Sequence, residues 1–282
     1  MIRLQGVAKR YGNSVAVDNI SINFKDYKIY CLLGCNGAGK TTLMKMIAGH
    51  INASGGSIEV DGKSVSTAKM PDTVSFIENR ASQFNTRLDN LISMASGLDS
   101  EFDTAFALRM AKKFHLDTGK KYRKLSFGMQ TMFNTLLSLA SNRKVTLLDE
   151  PLLGLDAIMR NKFYSLLNDS FEHYPRTIIL STHMIDEVTK SAEELIILDK
   201  GKIIFRSTID DIDEKAYCVT GAAGAVAPIL EKLNVISSKT IGGHTTAYIY
   251  DEKSEIPATF AAQSVGLQEF FINLVGGDYD EE

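Results

Sequence analysis

The chain has 282 residues, 44% hydrophobic and 23% charged, with a formal net charge of −3. This composition suits one large domain, or a domain with a small annex, around a sizeable core, and no low-complexity tract interrupts it. No uncharged apolar run approaches about 18 residues, so no helix is expected to cross a bilayer, and the scattered basic residues with no arginine-rich run argue against nucleic-acid binding.

The charge is unevenly placed. Residues 207–282 hold 13 acidic and 4 basic side chains, a net of −9, which leaves 21 acidic and 27 basic side chains, a net of +6, in residues 1–206. Two regions with different surfaces are therefore expected, 1–206 and 207–282. The N-terminus, MIRLQGVAKRYG, lacks the apolar core of a signal peptide. Three cysteines without paired spacing, Cys31, Cys35 and Cys218, predict a reducing compartment and no thiolate metal site.

In chain order, VAVDNISINF (Val15 to Phe24) alternates like a half-buried strand in its second half, and Lys28 to Leu33 predicts another strand ending at a glycine-rich turn. Thr42 to His50 places Leu43, Met46 and Ile47 at helical spacing. SGGSIEVDG, Ser54 to Gly62, reads as a turn and a short strand. Arg87 to about Ala140 is mostly helical in pattern and contains no proline. Strands resume at VTLLD and TIIL with a helical stretch between them. After Arg206 the pattern predicts strands near Tyr217 and Ala247, a helix near Pro228, and a last helix with Leu267, Phe270, Phe271, Leu274 and Val275 on one face. Short apolar strands alternating with helices imply an α/β fold with a mainly parallel sheet, after a more antiparallel first sixty residues.

Three apolar runs end in polar residues suited to one ligand: CLLG, VTLLDE and IILSTH. In open α/β sheets, ligands sit beyond the carboxyl ends of the strands. Gly34-x-x-x-x-Gly39-Lys40-Thr41 is a phosphate-binding loop pattern, in which glycines let successive backbone N–H groups turn inward as an anion nest and the helix that follows adds partial positive charge. Lys40 is expected to reach the β- and γ-phosphates of a nucleotide, and the Thr41 hydroxyl to bind Mg²⁺. Asp149 and Glu150 end a buried strand, suiting Asp149 to the metal and Glu150 to orienting or deprotonating an attacking water. LSFGMQ, Leu125 to Gln130, precedes a helical run and reads locally as a serine N-cap.

The phosphate loop, LSFGMQ, LLDEP, GLD and STH, in this order and spacing, resemble the nucleotide-binding subunit of an ABC transporter over residues 2–206. The resemblance implies a P-loop NTPase of ABC ATPase type: a mainly parallel core sheet, an N-terminal antiparallel part, a helical subdomain at about 87–141, and a small α+β segment at 207–282. It implies ATP held by Gly34, Asn36, Gly37, Ala38, Gly39, Lys40, Thr41 and Thr42, with Tyr11 stacking on adenine and His183 contacting the γ-phosphate. Two such domains, as a homo- or heterodimer, sandwich two ATPs head to tail, so Ser126 and Gly128 would meet the partner's γ-phosphate and Asp156 would lie at the dimer interface. The cofactors implied are ATP and Mg²⁺. The partner implied is a separate multi-span membrane subunit, with the ATPase cytoplasmic and peripheral at the inner face of the membrane.

Several residues depart from the family pattern. Phe127 and Met129 replace a glycine and a glutamine of the signature, and Thr131 and Met132 replace polar and basic residues after it. Glu78, or Asn79 if the register shifts by one, stands in place of the glutamine that links the metal to the membrane partner; Glu78 joins Thr41 and Asp149 as an expected metal donor. These departures, with GLDAIMR and the C-terminal segment, resemble the ATPases of Gram-positive ABC-2-type exporters, whose relatives serve bacitracin, lantibiotics and phenol-soluble modulins. A soluble ABC ATPase for assembly or repair, of the iron–sulfur assembly type, is the competing reading.

Overall fold

The computed structural model describes residues 1–78, 84–185, 190–253, 260 and 262–276 of the chain. It opens with β1 (Ile2–Tyr11) and β2 (Ser14–Phe24), an antiparallel hairpin pairing Ile2 with Phe24 and Tyr11 with Ser14. β1 goes beyond the strands read from the sequence: its alternation is broken near Gly6, which has φ +56, and its register shifts past Leu4, so the period-2 signal fades halfway along. β3 (Ile29–Leu33) is buried at every position, as expected of a strand covered on both faces.

α1 (Lys40–Ile47) follows, then β4 (Gly55–Val60), β5 (Lys63–Ser64) and β6 (Val74–Glu78). β2–β1–β4–β5 form one antiparallel sheet. Residues 87–141 hold α2 (Leu88–Leu98), α3 (Thr104–Lys113), a 3₁₀ turn at Tyr122–Lys124 and α4 (Phe127–Ala140), in keeping with the helical pattern there. β7 (Val145–Asp149), α5 (Ala157–His173), β8 (Thr177–Thr182), β9 (Glu194–Asp199) and β10 (Lys202–Thr208) complete a six-stranded sheet of order β10–β9–β3–β8–β7–β6. β9, β3, β8, β7 and β6 pair in parallel through it. Lys200 and Gly201, both at positive φ, turn β9 back into β10.

α1 joins the two sheets. Leu43, Met46 and Ile47 share one apolar cluster with Ile2, Leu4 and Val7 of the first sheet and with Leu147, Ile179 and Ile196 of the second. The helix that carries the phosphate-loop lysine is therefore fixed by the core rather than by its own eight residues, too few to be stable alone.

The chain divides into two units, one holding Met1–His183 and Lys190–Arg206 and the other built on Ser207 onward. The second contains α6 (Ile209–Lys215), β11 (Ala216–Ala222), α7 (Ala223–Leu230), β12 (Val235–Ile241), β13 (His244–Tyr250), β14 (Ala262–Ser264) and α8 (Leu267–Gly276). Its antiparallel sheet has the order β12–β13–β11–β14 and a core of Tyr217, Val219, Leu233, Ala247 and Ile249. Gly242 and Gly243, at φ +59 and +79, supply the positive dihedrals of the β12–β13 turn.

Candidate functional site

The site lies where β3, β8 and β7 end side by side. Parallel register aligns Leu33 with Thr182 and Asp149 with Ser181, so the three polar strand ends read from the sequence converge on one edge. Between β3 and α1 the chain makes a tight loop in which Cys35, Asn36 and Gly37 are exposed and Ala38 is buried, its N–H donating to Cys35 O at 3.1 Å. Gly37 and Gly39 have φ +87 and +103. A Cβ on Gly39 would stand 2.3 Å from Ala16 O, and one on Gly34 would stand 2.4 Å from Leu198 O. Both glycines are thus required by close backbone approach, and Gly39 by its dihedral as well.

Lys40 is 6% exposed. Its ammonium donates to Gly34 O at 2.6 Å and Cys35 O at 3.3 Å, and stands 3.3 Å from Glu150 Oε1. Thr41 Oγ1 donates to Asp149 Oδ2 at 2.7 Å. Thr42, next along α1, is partly exposed. Glu150 has φ +49, an uncommon conformation for a residue with a side chain, and its Oε2 lies 2.8 Å from His183 Nδ1. Since an ionised carboxylate only accepts, Nδ1–H is the donor to it. The structure thus brings Lys40, Thr41, Asp149, Glu150 and His183 into one connected set. Thr41 and Asp149 offer the hydroxyl and carboxylate oxygens that a hard divalent cation prefers.

Other expected residues sit elsewhere in the first unit. Glu78 pairs with Asp149 in the β6–β7 register, and its Oε1 accepts from Lys45 Nζ at 2.8 Å. Its alternative, Asn79, lies outside the described residues, as does the rest of 79–83. Ser126 caps α4, its Oγ accepting from Met129 N–H at 3.3 Å. Gly128 faces Leu155 and Gly154 O, where a Cβ would meet them at 3.2 and 3.3 Å, and Phe127 covers Gly154 so closely that a Cβ there would stand 2.4 Å from its ring. Asp156 caps α5 through Met159 N–H at 2.8 Å. The signature and GLD segments therefore form one face, on which Phe127, Leu153 and Ile158 are exposed. Tyr11 is half exposed, with Lys9 Nζ 5.2 Å from its ring centroid.

Two site residues escaped the sequence reading. Lys45 holds Glu78, and Ser181, fully buried after the apolar run Ile178–Leu180 of β8, bonds both Asp149 and the Glu150 backbone. The signal for Ser181 was available: a serine ending IIL is costly to bury unless its hydroxyl has partners.

Residues 17–153 match the protein-family model described as ABC transporter. The chain is 29% identical over 211 residues to the lantibiotic transport ATP-binding protein SrtF of Streptococcus pyogenes, covering 74% of this chain and 92% of that relative. It is 24% identical to the ABC transporter ATP-binding protein YtrB of Bacillus subtilis over 288 residues, covering 98% of this chain and 99% of YtrB. Among solved structures, an ATP-binding subunit of an ABC transporter superposes with a TM-score of 0.67 at 20% identity, covering 75% of this chain and 91% of that one. A dimeric ATP-binding cassette in a post-hydrolysis state, bound to ADP and phosphate, superposes with a TM-score of 0.63 at 22% identity, covering 74% and 99%.

Proposed function

Because the chain is an ATP-binding subunit of the ABC transporter family, we propose that it drives an exporter, with Lys40, Asp149, Glu150 and His183 as its hydrolytic centre. The observation that carries the centre is the connected set at the ends of β3, β7 and β8. The loop from Gly34 to Thr42, including Asn36, Gly37, Ala38 and Gly39, wraps the phosphates with backbone N–H groups at the start of α1. Lys40 leaves Glu150 for the β- and γ-phosphates, and Tyr11, half exposed, presents a ring face to the adenine.

Mg²⁺, held through Thr41 and Asp149, would neutralise charge on the phosphate oxygens. Glu78 stands next to Asp149 and is held by Lys45, so we assign it the outer position of that metal site. Glu150 orients the water and accepts its proton, and His183 fixes the Glu150 carboxylate through Nδ1.

Ser126, Gly128 and Asp156 serve a second nucleotide, held by a partner copy or a related chain. The exposed Phe127, Leu153 and Ile158 favour this role, because a face carrying both caps and large apolar side chains suits coverage by a second domain. Residues 207–282 act as an accessory segment of the same subunit. No helix among the described residues is long and apolar enough to cross a membrane, so the transported molecule would pass through a separate multi-span protein, with this chain at its cytoplasmic face. The export direction rests on the similarity to SrtF and on the exporter-like departures at Glu78 and in LSFGMQ.

Coexpression with a candidate multi-span subunit tests the reading. Membrane-bound ATPase activity should appear with the partner and vanish in Glu150→Gln. Recovery of the chain only in soluble complexes with assembly factors would overturn it.

A further inference from the structure

Ser181 is fully buried, in the last turn of the pleat on β8, beside Asp149 in the register with β7. Its hydroxyl makes two bonds: Oγ donates to Asp149 Oδ1 at 2.6 Å and accepts from Glu150 N–H at 2.9 Å. The polarity is forced. A backbone N–H can only donate, so the single hydroxyl proton must point at Asp149. The other carboxylate oxygen, Oδ2, is met by Thr41 Oγ1 at 2.7 Å, and each oxygen of Asp149 is therefore assigned to one hydroxyl.

The second bond acts on Glu150. This residue has φ +49 directly after β7, a conformation that persists only where its surroundings hold it. The dihedral turns the side chain toward Lys40, 3.3 Å away, and His183, 2.8 Å away. The Glu150 N–H is tied to Ser181, and through it to Asp149.

We propose that Ser181 is a positioning residue for ATP hydrolysis: one buried hydroxyl fixes the rotamer of Asp149 and the left-handed backbone of Glu150 together, so that metal donor and water-directing carboxylate keep a constant separation. The inference rests on the reading of Glu150 given above. Fully buried and bonded to Asp149 and to the Glu150 backbone, Ser181 acts through both carboxylates, as outer partners of metal ligands do.

The test compares Ser181→Ala, Ser181→Cys, Ser181→Thr and Glu150→Gln in the purified chain, measuring kcat, equilibrium ATP affinity, Mg²⁺ dependence and thermal midpoint. Ser181→Ala should lower kcat by about tenfold to a hundredfold and raise the Mg²⁺ concentration for half-maximal rate, with ATP affinity unchanged. Ser181→Thr, which keeps the hydroxyl, should recover most of the rate, and Ser181→Cys, a weak donor of similar size, should fall between. A parental kcat in Ser181→Ala, or equal impairment of the alanine and threonine variants while Glu150→Gln is inactive, overturns the positioning role. So does a lowered thermal midpoint without any change in kcat. Parental hydrolysis by Glu150→Gln sinks the reading of Glu150 itself, and this inference with it.

Discussion

The ammonium of Lys40 stands 3.3 Å from Glu150 Oε1, so the cation expected to hold a phosphate and the carboxylate expected to direct water are paired with each other. A nucleotide must part them. Glu150→Gln removes the negative partner while keeping the shape, so hydrolysis should fall by about 10²–10⁴-fold while ATP affinity holds or rises. Lys40→Ala should act on binding instead, weakening ATP by about 1.5–3 kcal/mol, the contribution of a hydrogen bond to a charged group. Single-turnover hydrolysis and equilibrium binding on the same preparations separate the two effects. Equal loss of binding in both variants would contradict the division of roles.

Gly39→Ala should damage the loop without touching a chemical group. The dihedral at φ +103 and the Ala16 carbonyl 2.3 Å from the added Cβ both oppose it, and backbone strain alone costs about 1–3 kcal/mol. Gly37→Ala shares the positive φ, but nothing lies within 4 Å of its Cβ, so it should cost less. Thermal midpoints of the two variants should fall in that order; a larger loss for Gly37→Ala would show that crowding against Ala16 is unimportant.

The strand ends that carry the site were readable because short, mostly apolar runs ending at Gly34, at Asp149 and at Ser181-Thr182-His183 leave few alternatives in an α/β chain. The helical 87–141 region was equally plain from its periodicity and lack of proline. β1, β9, β10 and β12 were not read, nor were the short β5 and β14. β1 is broken by bulges, β10 alternates with weak polarity contrast, β12 does not alternate at all, and ELIILD in β9 is as compatible with a buried helix turn as with a strand. Pairwise geometry was beyond reach of the sequence: that Lys45 holds Glu78, that Lys40 meets Glu150, and that Ser181 links two carboxylates all depend on strand order.

A pH-dependent contribution is expected where α3 meets α5. Asp103 caps α3 through Phe106 N–H at 2.7 Å and meets His173 Nε2 at 2.9 Å. Burial alone would raise its carboxyl, but the Phe106 N–H, His173 and Arg109 outweigh it and hold Asp103 below the usual carboxylate range. A depressed folded pKa means that the stabilisation is complete above the ordinary carboxylate value, about 3.9, and is lost as pH falls below that through the folded value. Asp103→Asn keeps the cap but not the charge. The difference in thermal midpoint between parent and variant should therefore be largest near neutral pH and shrink toward pH 3, and a constant difference would exclude the charge as its cause.

Cys35 offers a chemical probe of the loop, because the three cysteines differ sharply in access. Cys31 is fully buried, and burial together with the nearby Glu150 charge pushes its thiol up, which disfavours the reactive thiolate. Cys218 is partly buried, and burial with the Glu269 charge pushes it up as well. Cys35 alone is exposed, and its carbonyl accepts from both Lys40 Nζ and Ala38 N–H. A bulky maleimide should therefore label Cys35 first. The adduct would stand on the loop expected to wrap the phosphates and compete for the space Lys40 must enter. ATP affinity should drop by about tenfold or more, roughly the 1.4 kcal/mol of one hydrogen bond, and bound ATP should slow the labelling. Cys35→Ser should bind ATP normally and resist the reagent. Stoichiometric labelling of Cys35 with undiminished affinity would mean that nucleotide does not enter through this loop, and the phosphate site would have to be sought elsewhere on the same sheet edge.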